Sequence, residues 1–483
     1  MTSRMLSLLI ALALPIATTT INAQPDGSRA DVPPSVSAPL TQSDIANAKT
    51  AADNDSRATP TATQPTNPAQ WKAQQREAFA KSERIYQQAL KQNGLLAQYR
   101  FMHKAASEDR TPAFRSIFSQ YVSWYQTYLG DYAAARDTHS LQQVSEPDDN
   151  TSPLAGRFQA RPAVEALLAM TKDRQVVFFN EAHTFSHTRI VTIEMLASLR
   201  AQGFDTFAVE TLYDTDKDLQ KRGYPNIHSG FYTQDPLYSE MVRTALKLGF
   251  TVIAYEAEKA DGDAREREQA ATLVTRVLKK NPQARLVVNA GFAHIQKSGK
   301  YLDGKSMAEH FKRLSGIDPL CIEQTMMVDH DTTGHDHPFY RAAIDSLHPL
   351  KPIIFVDAAG KPWSLKPAAY DVSVIFPPQV LRRGRPTWLE IDGARKPNLV
   401  HQAELCQKQS PCMVEARYAD EGEDAIPADR LSFQNIDILG AEAVSELYLR
   451  PGNYRLVATD IDNRVLSRQT LNVAADTPEK KSP

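Results

Sequence analysis

The sequence carries no excess of either charge: 55 Lys and Arg against 57 Asp and Glu leave a formal net charge of −2 at pH 7. Nucleic acids and anionic membranes are held by strongly basic surfaces. Bulk electrostatics therefore point to neither, and a small molecule or a peptide is the expected partner. Long hydrophobic runs are missing too. The apolar run Leu6 to Ile16 falls short of the ~17 residues that a membrane span needs, and nothing later is long enough, so stable membrane insertion is not expected. Cysteine is scarce, with three in 483 residues. Cys406 and Cys412 are close enough to close a small disulfide loop in an oxidising compartment, which leaves Cys321, between Leu320 and Ile322, as a buried inert thiol. A Gly-x-Ser-x-Gly elbow and a Gly-rich phosphate loop are both absent, so serine-hydrolase and nucleotide-binding readings are weak.

What is present begins with Arg4 followed by the short apolar run, then small and polar residues up to Ala23. That order predicts a signal peptide over residues 1–23, cleaved before Gln24, and an exported protein, periplasmic or secreted. Residues 24–70 are rich in Ala, Thr, Pro, Ser and Asp with almost no aromatics, which predicts a disordered tether. Over 71–155, Ile85, Tyr86, Leu90, Leu95, Tyr99 and Phe101 recur near the helical period and predict a helical packing cap. Residues 156–328 alternate short β-branched runs with amphipathic stretches and predict an α/β domain with a largely parallel sheet and flanking helices. A His- and Asp-rich linker is expected over 329–350, a β-sandwich over 351–475, and a frayed tail over 476–483.

Within the α/β region the expected strands are Val176 to Phe179, Thr206 to Val209, Thr251 to Tyr255 and Arg285 to Asn289. Helices are expected around Thr188 to Gln202, Leu237 to Lys247 and Arg265 to Lys280, with Gly203 and Gly249 placed for helix C-termini. Ionisable residues follow every strand: Glu181 and His183, then Glu210, then Glu256, then His294. In a parallel sheet the carboxyl ends share one edge, where ligands bind, so these side chains are expected to converge. Taken singly, each has a structural explanation, such as an acid at a helix N-terminus or a loop histidine.

These residues resemble the superfamily that groups erythromycin esterases, ChaN-type haem-uptake lipoproteins and Tiki metalloproteases. The resemblance covers roughly residues 176–325. It rests on Asn180-Glu181-Ala182-His183, similar to the family's Gly-Glu-x-His, on the acid after the second strand, and on Gly291-Phe292-Ala293-His294, similar to its Gly-x-x-His. Arg265-Glu266 followed by Gln269-Ala270, and Ser306-Met307-Ala308, resemble the esterase branch. Asn180 stands where the family has Gly, and His187 lies near a second histidine of the ChaN-type proteins.

The resemblance implies a hydrolase-like protein acting on an ester, lactone or amide, and the signal peptide makes it an exported one. Two mechanisms are compatible with the residues. In one, His183 or His294 is the general base, a Glu orients it, and Arg189 or Arg265 meets the developing oxyanion, with no metal. In the other, His183 and His294 with Glu181 or a further Glu hold a divalent ion, as in a metal-dependent protease. Haem or metal binding without bond cleavage is the rival from another class. Arg189, His187 and Tyr213 are candidates for substrate binding. The long segment Tyr213 to Asp235 reads either as a lid or as a loop packed by its own aromatics. His330, His335 and His337 with Asp329, Asp331 and Asp336 read either as a transition-metal tract or, more commonly for such runs, as a polar linker.

Overall fold

The structure, a computed structural model, describes residues 68–139, 151–257, 262–302, 304–434 and 443–475. The expected signal peptide, nearly all of the tether and the tail lie outside the described residues. No helix among the described residues is long and apolar enough to cross a membrane.

The helical unit comprises α1 (Pro68–Ala89), α2 (Leu95–Glu108), α3 (Pro112–Tyr128) and α4 (Tyr132–Thr138). Pro112 opens α3 where a missing backbone donor costs nothing. From Gln120 to Tyr128 every residue of α3 is buried. That burial on all sides reflects its position between α1 and the loop that follows the second central strand, where Trp124 meets Phe231 edge to face at 5.2 Å.

The central unit is built on β1 (Phe158–Pro162), β2 (Val176–Glu181), β3 (Thr206–Val209), β4 (Thr251–Ala254), β5 (Leu286–Gly291), β6 (Leu320–Glu323), β7 (Ile353–Asp357) and β8 (Val372–Ser373). Six of these strands form a parallel sheet in the order β4-β3-β5-β2-β6-β8, while β1 and β7 pair antiparallel beside it. Side chains of a strand alternate between faces. Val177, Phe179, Phe207, Val209 and Val287 accordingly pack against helices Ile190–Ala201 and Pro236–Lys247. Val176, Phe178, Ala208, Leu286 and Val288 pack against Gly262–Leu273 and Met307–Ser315. Both faces are dry, which is why these strands read as unbroken apolar runs. Helix Ile190–Ala201 ends with Gly203 at φ +95°, the Gly203 amide bonding to the Arg200 carbonyl and the Phe204 amide to the Leu199 carbonyl. Gly249 ends helix Pro236–Lys247 in the same way.

Two expectations need correction. The linker over 329–350 contains a helix, Pro338–Leu347, capped by the His337 side chain. Tyr370, Val372, Val374 and Phe376 do not belong to a β-sandwich. β8 adds to the parallel sheet beside β6, with Ile322 opposite Val372. The intervening polar residue misleads because Ser373 is buried, its hydroxyl accepting the Leu365 amide at 3.0 Å, so an alternation that reads as half-exposed is buried on both faces.

The C-terminal unit contains β9 (Leu381–Arg382), β10 (Arg385–Pro386), β11 (Lys396–His401), β12 (Cys412–Tyr418), β13 (Asp429–Phe433), β14 (Val444–Leu449), β15 (Gly452–Asp460) and β16 (Val465–Val473). An antiparallel sheet β13-β12-β15-β16 and a ladder β11-β14 share one apolar cluster that includes Val400, Val414, Leu431, Leu447 and Leu456. Cys406 and Cys412 are joined by a disulfide, and Cys321 is a buried free thiol whose pKa is pushed up by burial.

Candidate functional site

The carboxyl edge of the sheet brings Glu181, His183, Glu210, Glu256 and His294 into one connected cluster. Its frame is a pair of carboxylate-histidine dyads. His183 Nδ1 lies 2.7 Å from Glu181 Oε1, and His294 Nδ1 lies 2.7 Å from Glu266 Oε2. A carboxylate only accepts, so each Nδ1 carries the proton and each Nε2 is left to face the interior of the site. Glu210 stands between them. Its Oε2 accepts the Gly291 amide at 2.5 Å, and its Oε1 lies 3.5 Å from His294 Nε2.

Arg265 joins the carboxylates. Its Nε donates to Glu256 Oε1 at 2.9 Å, Nη2 reaches Glu210 Oε1 at 3.4 Å, and Nη1 reaches Glu266 Oε1 at 3.4 Å and His294 Nε2 at 3.2 Å. Gln269 Nε2 also donates to Glu256 Oε1, at 2.7 Å. Arg265, Glu266 and Gln269 lie on one helix, Gly262–Leu273, with their side chains buried toward the sheet edge. The Met307 amide, at the start of the following helix, donates to Glu266 Oε2 at 2.8 Å and fixes the second dyad from behind.

The two dyads differ in what meets Nε2. His294 Nε2 has Arg265 on one side and the Tyr301 hydroxyl at 3.4 Å on the other. His183 Nε2 makes no hydrogen bond among the described residues. Its ring is stacked on Tyr232 at a centroid distance of 4.1 Å and meets the Phe292 ring edge to face at 4.9 Å. The other edge of His183 rests on Gly291, where an added Cβ would stand 2.3 Å from Cε1 and 2.5 Å from Nε2. Close approach, with no side chain in the way, is what this glycine provides. The backbone is also bent at two of the places where the chain leaves the sheet: Thr211, after Glu210, has φ 58°, and Phe292, after Gly291, has φ 44°. Such conformations cost non-glycine residues about 1–3 kcal/mol and cluster at functional sites.

Burial raises the pKa of a carboxyl and lowers that of an imidazole unless charges intervene. At Glu181 burial pushes upward, but Arg189 and His183 outweigh it and hold the carboxyl below its ordinary range. At Glu210 burial is likewise outweighed, by His294, His183 and Arg265. Glu256 goes the other way: burial pushes it up despite Arg265, and its Oε2 is buried with no hydrogen-bond partner among the described residues. For His294 burial pulls down, and Glu266 and Glu210 more than offset it against the opposing charge of Arg265, so its pKa is raised above the ordinary value.

Asn180, the departure from the family pattern, is a brace. Its Nδ2 donates to the Phe292 carbonyl at 2.9 Å, and its Oδ1 accepts the Gln324 amide at 2.6 Å, tying the bend before His294 to the end of β6. The segment Tyr213 to Asp235 is a roof pinned at several points. Leu212 bridges Gly230, Arg222 pairs with Asp216 at 2.6 Å, and Asn226 bridges Ala425 in the C-terminal unit.

The residues expected to bind substrate are placed elsewhere. Arg189 is wholly buried behind Glu181, donating from Nε to Glu181 Oε2 at 2.5 Å and from Nη1 to Asp235 Oδ2, so its charge is already neutralised. His187 is buried against Phe185, Phe376 and Trp388, and burial lowers its pKa to about 4. Tyr213 is half-buried against the aromatic cluster of the helical unit and makes no bond to either site histidine.

The sequence-derived donor set for a metal does not fit. Both Glu181 oxygens are taken, by His183 and Arg189, and the Arg265 guanidinium lies against His294 Nε2 where a cation would have to stand. Among the described residues no group of three or more His, Cys, Asp and Glu is arranged to hold a metal ion. The His-rich linker is used locally: His330 Nδ1 bonds Asp336 at 3.0 Å, His335 Nδ1 bonds Asp331 at 2.9 Å, and His337 Nδ1 accepts the Phe339 amide. Glu266 was visible in a motif but not recognised as the partner of His294, while Asp235, Tyr232 and Tyr301 come from loops without any periodic signal.

No family model and no curated protein matches the chain. Among solved structures it is similar to the type III effector HopBA1, with 17% identity, 38% of this chain and 96% of that one covered, and a TM-score of 0.25. It is also similar to RRSP, a MARTX toxin effector domain from Vibrio vulnificus CMCP6, with 13% identity, 57% and 49% covered, and a TM-score of 0.25. A third structure, described as bacterial protein toxins, has 13% identity, 55% and 69% covered, and a TM-score of 0.26. Likenesses this weak carry no argument about activity, and the resemblance to the esterase, ChaN and Tiki superfamily rests on the motifs alone.

Proposed function

We propose that this chain is an exported hydrolase that cleaves an ester, lactone or amide with a water activated by His183, without a metal ion. The observation that carries the reading is the Nε2 of His183, which makes no hydrogen bond among the described residues while its Nδ1 is held by Glu181 at 2.7 Å. Such a base takes a proton from water as the oxygen attacks the carbonyl carbon. The developing oxyanion would face the Arg265–His294 pair, whose guanidinium is shared among Glu210, Glu256 and Glu266. When the tetrahedral species collapses, the carbon-oxygen or carbon-nitrogen bond breaks, and the proton on His183 Nε2 passes to the leaving group. Glu256 and Glu210 hold Arg265 in place from two strands.

The test is a panel of chromogenic esters, lactones and peptide amides, run with the full chain and with His183→Ala, each with and without a chelator. Turnover of one class, insensitive to chelation and reduced about 10²–10⁴-fold in the variant, supports the reading. Turnover lost on chelation and regained with a divalent ion would contradict it, as would equal rates in both proteins.

A further inference from the structure

Asp235 lies outside the cluster just described and touches neither site histidine, yet it closes a buried chain that ends on one of them. It caps helix Pro236–Lys247, its Oδ1 accepting the Leu237 amide at 2.9 Å. The same oxygen accepts the Tyr132 hydroxyl at 2.9 Å, from the helical unit. Oδ2 accepts the Ser186 hydroxyl at 2.8 Å and an Nη1 hydrogen of Arg189. Arg189 continues the chain to Glu181 through Nε, and Glu181 continues it to His183 Nδ1. Asp235, Arg189 and Glu181 are all buried, and the Tyr238 ring covers the Arg189 guanidinium at 4.9 Å.

We propose that Asp235 is a positioning residue for His183, and that Tyr132 is the helical unit's contribution to the site. This rests on the reading of His183 as the base. An arginine beside a single carboxylate prefers to take both of its oxygens in a forked grip. That grip would strip Glu181 Oε1 from His183. Here Arg189 meets Glu181 with Nε, because its Nη1 is held by Asp235 and Ser186 and its Nη2 donates to the His183 carbonyl at 3.2 Å. One Glu181 oxygen is thereby reserved for Nδ1–H, and the lone pair stays on Nε2.

The backbone around this anchor is gripped from the C-terminal unit. Arg430 donates to the Tyr128 carbonyl and to the Gln234 carbonyl at 3.2 Å, and Arg385 donates to the Gly130 carbonyl at 2.5 Å while its other nitrogen binds both Asp429 oxygens at 2.7 Å. The residues just before Tyr132 and just before Asp235 are thus fixed by two arginines of one unit. The helical unit, read from sequence as a packing cap, and the C-terminal unit, read as a β-sandwich, meet at the support of His183.

The experiment is 15N nuclear magnetic resonance of the full chain labelled at histidine, with His183 assigned by its loss in His183→Ala, which needs no substrate. The wild type should show His183 as the Nδ1–H tautomer. Asp235→Asn should give a mixture of tautomers, with the Nδ1–H excess reduced at least threefold, and Tyr132→Phe a smaller change in the same direction. Circular dichroism establishes that each variant is folded. Should Asp235→Asn fail to fold, Tyr132→Phe decides, since it removes one hydroxyl and leaves the ring. A folded variant with the wild-type tautomer overturns the proposal. Because the readout is the tautomer and not turnover, a failed substrate screen, which sinks the hydrolase reading, is told apart from a failure of Asp235 to position His183.

Discussion

The Glu181–His183 and Glu266–His294 dyads use the same pair of residue types at the same 2.7 Å separation, and they face the same carboxylate, Glu210. Their surroundings set them apart. Behind Glu181 stands a guanidinium, and among the described residues Nε2 of His183 has no donor or acceptor upon it. Behind Glu266 stand backbone and Arg265, and Nε2 of His294 is crowded by Arg265 and Tyr301. The first arrangement leaves Nε2 without a hydrogen bond among the described residues, and in the second Glu266 and Glu210 raise the His294 pKa against the opposing charge of Arg265. A carboxylate-histidine pair therefore defines no role by itself; the charges around it do.

The largest effect that could break this comparison is an asymmetry in turnover. His183→Ala should cost about 10²–10⁴-fold in kcat, whereas His294→Gln, which removes a charge and keeps a donor, should cost about 10-fold to 10²-fold. Steady-state kinetics on the best substrate of the panel decides it, and equal losses would mean that the dyads are interchangeable.

Gly291→Ala comes next. A Cβ 2.3 Å from His183 Cε1 must displace the ring from Gly291 and Tyr232. Overpacking of this kind costs about 1–3 kcal/mol, to be read as a fall in the urea midpoint together with lower turnover. Unchanged stability would show that His183 has room to move.

The smallest effect is in the pH dependence of stability, where the dyads should have opposite signs. His294 is raised in the fold above its ordinary 6.5, so its contribution is fully present below that pH and is lost as pH rises through the folded value. Glu181 is held below its ordinary 4.5, so its contribution is present above that pH and is lost as pH falls through the folded value. Thermal midpoints of His294→Gln and Glu181→Gln beside the wild type should diverge from it least on the alkaline and on the acid side respectively. His187, lowered to about 4 by burial, adds a further loss of stability in the wild type as pH falls from 6.5 toward 4.

Much of the site was legible because the sheet is parallel. Once Val176, Thr206, Thr251 and Leu286 begin parallel strands, Glu181, Glu210, Glu256 and His294 have only one edge at which to emerge. Glycines at 203 and 249 marked the helix ends by the same local chemistry that appears in the fold. What depends on the path of loops was not legible. Nothing periodic announces that Tyr232 will stack on His183 or that Asp235 will hold Arg189. Arg189 and His187 follow directly on the motif, and only packing reveals that both turn inward. The strand at Val372 was misplaced because Ser373 satisfies its hydroxyl in the interior, and a polar residue with a buried partner is indistinguishable in sequence from one facing water.

The most direct test of the central claim, that His183 is the proton acceptor, is chemical rescue. Turnover by His183→Ala is measured with increasing imidazole, beside divalent ions added in its place. The account predicts a rate that rises with the concentration of neutral imidazole and does not respond to the ions. A rate indifferent to imidazole but restored by a metal ion would contradict it.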